Sequence, residues 1–137
     1  MLTTMLDTNI CIRAMRKGGE GVRSRLQAES NWLCLSTIVL HELYLGAELS
    51  ARPEFHRTLV DELANRLPML DFDEDAALHA ANIRADLQKR GALIGAKDML
   101  IAGHARSLGL KLITGDLTDF GRVKGLVSED WLSEDNP

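Results

Sequence analysis

Apolar positions follow two alternating periods along this chain. Short apolar runs of strand length occupy residues 2–6, 32–35, 68–70 and 110–114. Between them lie stretches with helical spacing at 8–16, 21–29, 37–49, 53–67, 73–90 and 97–108. The punctuation agrees: Gly18-Gly19 follows the first helix, Ser36 stands where it can N-cap the third, Pro53 suits a first helical turn, and Gly109 closes the last. In the helix over 37–49, Ile38, Leu45 and Leu49 are expected to form the apolar side. Strands separated by helices predict an α/β sandwich with a mainly parallel central sheet. Such a sheet places its ligand crevice beyond the carboxyl ends of its strands. The residues there are Asp7 after the first strand and Thr114-Gly115-Asp116 after the last.

The 137 residues suit one domain over 1–132, with the acidic end 133–137 expected to be a frayed tail. At 45% hydrophobic and 26% charged residues the chain is neither disordered nor fibrous. No run approaches the roughly 18 apolar residues that a membrane span needs. Cys11 and Cys34 lack metal or CxxC spacing and are expected as small core residues of a protein in a reducing cytoplasm. The net charge of −4 argues weakly against a nucleic-acid partner, because residues 128–137 hold four acids and no Lys or Arg. Two basic segments remain, one with Arg13, Arg16, Lys17, Arg23 and Arg25, the other with Arg106, Lys111, Arg122 and Lys124.

Four acids mark the chemistry. Asp7 leaves an apolar strand, Glu42 interrupts the apolar run Val39-Leu40-His41-Glu42-Leu43, Asp98 opens an apolar helix, and Asp116 ends Leu112-Ile113-Thr114-Gly115-Asp116. Helix capping alone accounts for Asp7 or Asp98 taken singly. Converging on one pocket, each like-charged pair would cost about 4 kcal/mol at about 4 Å, so protons or a divalent cation must neutralise the group. Oxygen-only donors favour Mg²⁺ or Mn²⁺ over Zn²⁺. Leu45 stands three positions after Glu42, which excludes a zincin helix.

Met5-Leu6-Asp7-Thr8-Asn9-Ile10, the segment from Ser36 to Ala47 around His41-Glu42, the segment from Ile94 to Arg106 around Lys97-Asp98, and Leu112-Ile113-Thr114-Gly115-Asp116 resemble, in order and spacing, the PIN-domain ribonucleases of the VapC toxin family. The four acids are 35, 56 and 18 positions apart. The resemblance implies an α/β/α sandwich with a mainly parallel central sheet, in which Asp7, Glu42, Asp98 and Asp116 hold one or two Mg²⁺ or Mn²⁺ ions for RNA hydrolysis by metal-activated water. It casts Thr8, Asn9 and Thr114 as hydrogen-bonding residues that orient carboxylates or water. It further implies a structured RNA substrate such as a tRNA, a homodimer, and a VapB-type antitoxin through which operator DNA is bound. Departures are Ala96-Lys97 where Pro and an aromatic residue are common, Gly115 where Asn is common, and His41 in place of a small or apolar residue. Between Asp116 and Asp119, Asp116 is assigned to metal and Asp119 to the start of a short helix. The alternative is a non-catalytic nucleic-acid-binding or dimerisation module. Leu6 and Thr8 beside Asp7 do not fit a phosphoacceptor receiver, and Asn9 does not fit a haloacid-dehalogenase-type phosphatase.

Overall fold

A computed structural model of the chain describes residues 1–132, and the expected acidic tail lies outside them. Five strands, β1 (Thr4–Leu6), β2 (Leu33–Ser36), β3 (Met69–Leu70), β4 (Lys111–Ile113) and β5 (Ser128–Glu129), form one sheet in the order β3-β2-β1-β4-β5. Every pairing is parallel. Flanking it are α1 (Thr8–Met15), α2 (Glu20–Glu29), α3 (Thr37–Leu49), α4 (Pro53–Arg66), α5 (Glu74–Lys89), α6 (Ala96–Ser107) and the single turn α7 (Leu117–Phe120). β1 and β2 are buried at every position and β4 beyond its first residue, as a sheet covered on both faces requires. The order reverses at β1, with β2 on one side and β4 on the other, and this is where a doubly wound sheet opens its crevice.

Local chemistry explains the element ends. The Ser36 hydroxyl accepts from the Ile38 N–H at 3.0 Å and caps α3. Asp73 caps α5 through the Ala76 N–H at 2.9 Å. Arg90, Gly91 and Ala92 N–H groups close the end of α5, with Gly91 at φ +65°. Cys11 and Cys34 are buried, and burial pushes the Cys34 thiol up to about 11, so both stay protonated and inert. No helix among the described residues is long and apolar enough to cross a membrane.

The expected apolar side of α3 is corrected. Its buried stripe is Val39, Leu43 and Ala47, spaced by four, whereas Leu45 and Leu49 are 40% and 79% exposed and Ile38 is only partly covered. α3 is apolar around most of its circumference, so its sequence carries little directional signal. The neighbouring β2 and α4 decide which stripe turns inward.

α5 and α6 meet backbone to backbone. A Cβ on Gly103 would lie 2.5 Å from the Ala80 amide nitrogen and 2.7 Å from the Ala80 Cβ. Gly103→Ala is therefore expected to lower stability by about 1–3 kcal/mol, overriding the roughly 1 kcal/mol that Ala gains in helix propensity. Thermal unfolding checks this; an unchanged or raised midpoint would mean that α5 yields freely.

Candidate active site

All the sequence-selected acids gather at the carboxyl edge of the sheet. Asp7 directly follows β1, and its N–H donates to the Ile113 carbonyl at 2.8 Å, which ties the end of β1 to the end of β4. Its carboxylate is doubly held. Oδ1 accepts from the Thr8 N–H at 2.7 Å, capping α1, and Oδ2 accepts from the Thr114 hydroxyl at 2.7 Å. Capping and a place in the pocket are thus one arrangement. Each oxygen keeps a lone pair free of these bonds. Asp7 is 4% exposed, and burial raises its pKa above the ordinary value, opposed by the Thr114 and Thr8 hydrogen bonds.

The two residues after Asp7 reach outward to neighbouring segments. The Thr8 hydroxyl donates to Glu42 Oε2 on α3. Asn9 Oδ1 accepts from the Gly115 N–H at 3.1 Å, so Asn9 holds the loop after β4. The Thr114 oxygen in turn accepts from the Asp116 N–H at 3.0 Å, placing one hydroxyl between the two strand-end acids. Gly115 has no room for a side chain: a Cβ would sit 2.4 Å from Leu132 Cδ1 and 3.3 Å from the Asn9 amide nitrogen.

Asp98 lies in the first turn of α6, whose N-cap is Gly95, and no side chain caps that helix. Asp98 therefore makes no cap hydrogen bond, although its place in the first turn still suits the helix dipole. Burial, and then the charges of Asp7, Glu42, Asp116 and Asp119, push its carboxyl up to about 6. Oxygens of Asp98, Asp116 and Asp119 lie within 4.8 Å of one another, each residue part-buried. Asp116 also caps α7 by accepting from the Asp119 N–H at 3.1 Å.

Asp119 does occupy the first turn of α7, yet its carboxylate joins the acid group as well. The spacing alone could have signalled this, because positions three apart on a helical turn share a face. His41 is exposed on α3. Most of the basic residues noted in the sequence brace the fold: Arg106 bonds the His79 and Lys124 carbonyls and Asn82, Lys111 pairs with Glu129, and Lys124 pairs with Asp86.

The donor set suits a hard divalent cation. It is all oxygen, part-buried, and mutually repulsive enough that Asp98 gives up its proton only at about 6 when no cation neutralises the group.

Residues 4–126 match the family model of the PIN domain, the class of protein that this sheet and its acid-lined edge define. The chain is 43% identical over 131 residues to the tRNA(fMet)-specific endonuclease VapC of Salmonella typhimurium, covering 96% of this chain and 99% of that one. It is 42% identical over 132 residues to ribonuclease VapC2 of Haemophilus influenzae, covering 96% and 100%. Among solved structures, it superposes on DNA-bound VapBC from Salmonella typhimurium with a TM-score of 0.92 at 43% identity, covering 96% and 99%. On VapBC2 from Rickettsia felis bound to a promoter DNA fragment the TM-score is 0.90 at 31% identity, covering 95% and 99%. The chain belongs to the PIN-domain family, in its VapC-type toxin ribonuclease branch.

Proposed function

We propose that this toxin is a Mg²⁺- or Mn²⁺-dependent endoribonuclease that cuts a structured RNA, a tRNA by its similarity to the tRNA(fMet)-specific relative, in the cytoplasm. The observation that carries the reading is the gathering of five carboxylates at the carboxyl edge of the sheet, three of them with oxygens within 4.8 Å. Asp7, Glu42, Asp98 and Asp116 are the metal-holding and catalytic residues, with Asp119 beside them. Similarity to DNA-bound VapBC complexes supports a VapB-type antitoxin as partner; in the same reading that antitoxin covers the site and carries DNA binding, with a homodimer as the working form.

The cation, when bound, supplies positive charge to the scissile phosphate and acidity to water. The protein supplies position. Thr114 and the Thr8 N–H fix both oxygens of Asp7, and the Thr8 hydroxyl fixes Glu42, so Thr8 alone ties two acids from different parts of the chain. Asn9 holds the Gly115 loop, and with it Asp116, against the start of α1.

The purified chain is therefore expected to cleave bulk tRNA with Mg²⁺ or Mn²⁺, to lose that activity in EDTA, and to leave 5′-phosphate and 3′-hydroxyl ends. Cleavage that survives EDTA, or 2′,3′-cyclic phosphate ends, would overturn the reading. RNA binding without metal-dependent cleavage would instead mark a binding module.

A further inference from the structure

On one side the acid cluster borders a groove that hydrolysis alone does not use. α1, α3 and α4 enclose a space of about 600 Å³, of the size that takes a small organic ligand. Glu42 of the acid cluster is part of its wall, so the groove is continuous with the proposed cutting site. Along α3 the wall continues through Gly46, where a Cβ would meet nothing within 4 Å. Opposite lie Met15 and Leu59, with the half-exposed ring of Phe55 also lining the space. Arg16 and Lys17, both exposed, complete the lining, and their side chains have no ion-pair or hydrogen-bond partner among the described residues.

We propose that this groove receives an unstacked nucleobase of the RNA beside the phosphate to be cut, with Arg16 and Lys17 holding backbone phosphates alongside it. The proposal rests on the ribonuclease reading and adds a substrate subsite to it. Sequence-selective RNA binding targets loops whose bases can be splayed out and laid against apolar or aromatic side chains. An apolar floor of Met15 and Leu59 beside the Phe55 ring, one face of which the Arg52 guanidinium covers at 4.2 Å, offers a surface for a base, whose π-face tolerates such stacking whatever its identity. Charge points to the same occupant. The acids repel a polyanion wherever a cation does not screen them, and the unpaired cations at this flank supply the complementary attraction.

Gly46 gives the test. Gly46→Ala and Gly46→Leu fill the groove from a helix position with open space in front of it, so both are expected to melt no lower than wild type. For Gly46→Leu, KM for bulk tRNA should rise about fivefold to a hundredfold, the range of one lost base stack, with kcat within about twofold and the Ala variant between. Binding of a fluorescently labelled tRNA in EDTA, followed by anisotropy, should weaken in step without any need for catalysis. The double variant Arg16→Gln/Lys17→Gln should flatten the dependence of log Kd on log salt by roughly 1 to 2. Gly46→Leu that folds, binds and cleaves tRNA as wild type overturns the proposal. The same result with loss of neutralisation by a VapB-type antitoxin would assign the groove to a protein instead. A wild-type chain that binds labelled tRNA through the groove without cutting it would refute the ribonuclease reading and leave the nucleotide site standing, whereas one that neither binds nor cuts tRNA refutes both.

Discussion

Asp98→Asn is expected to reduce RNA cleavage by at least about a hundredfold, more than is typical for losing a residue that merely orients a ligand, while raising the stability of the metal-free protein at neutral pH. The two halves share one cause. Asp98 is pushed up to about 6 by burial and by four neighbouring acids, so its charged form is disfavoured in the folded chain relative to the unfolded one. Between the ordinary value of 3.8 and about 6 the folded state binds more protons than the unfolded state, and stability falls as pH rises through that window. The penalty is complete only well above pH 6 and is relieved in acid. Burial raises the pKa of Asp7 too, which adds in the same direction. Wild type without metal should thus melt lower at pH 7.5 than at 5.5. The Asn variant should melt higher at 7.5 by roughly 1–2 kcal/mol, discounted for partial solvent screening, and should show a flatter pH profile. Added Mn²⁺ should raise the wild-type midpoint through ligand linkage and move the variant much less. A variant that melts lower at pH 7.5 would make Asp98 a structural residue, its charge serving the start of α6 through the helix dipole.

How far the sequence reveals this protein depends on where each signal is stored. The strands at the sheet centre announce themselves because β1, β2 and most of β4 are buried on both faces and read as short, mostly apolar runs. β5 is invisible by the same logic: two residues, Ser128–Glu129, half-exposed at the edge, joined to β4 by backbone bonds and the 2.7 Å Lys111–Glu129 pair. Helix ends were legible wherever a side chain performs the capping, as at Ser36, Asp73 and Asp7. The inward face of α3 was not, since its pattern permits several faces and packing against its neighbours selects Val39, Leu43 and Ala47.

The candidate site divides in the same way. Asp7, Glu42, Asp98 and Asp116 stand out as acids against apolar surroundings. What fixes them is long-range: Thr114 reaches Asp7 across 107 positions and Thr8 reaches Glu42 across 34. No local spacing encodes such pairs. Parallel register does, because pairing Leu6 with Ile113 sets the ends of β1 and β4 side by side and brings Thr114 to Asp7.

The contrast between Asp116 and Asp119 separates metal holding from helix starting. Asp116 is bound into the site at two points. Its N–H donates to the Thr114 hydroxyl that also serves Asp7, and its own carboxylate caps α7. Asp119 has a looser tie, sharing its carboxylate with Arg122 at 3.8 Å, an exposed pair that contributes little. Asp116→Ala removes a carboxylate oxygen from the cluster and the cap of α7 together. Its Mn²⁺ affinity should fall by more than about tenfold and cleavage with it, while the lost cap costs about 1 kcal/mol, offset in part by relief of repulsion on Asp98. Asp119→Ala leaves the cap acceptor in place, because the bond uses the backbone N–H of residue 119. It should lose less than about tenfold in Mn²⁺ affinity and, through the weaker helix-dipole interaction, less than about 1 kcal/mol of stability. Titration calorimetry with Mn²⁺ and thermal unfolding of both variants decide the matter. If Asp119→Ala loses the ion and Asp116→Ala keeps it, the roles exchange: Asp116 becomes the cap alone, and the cation is held from the first turn of α7.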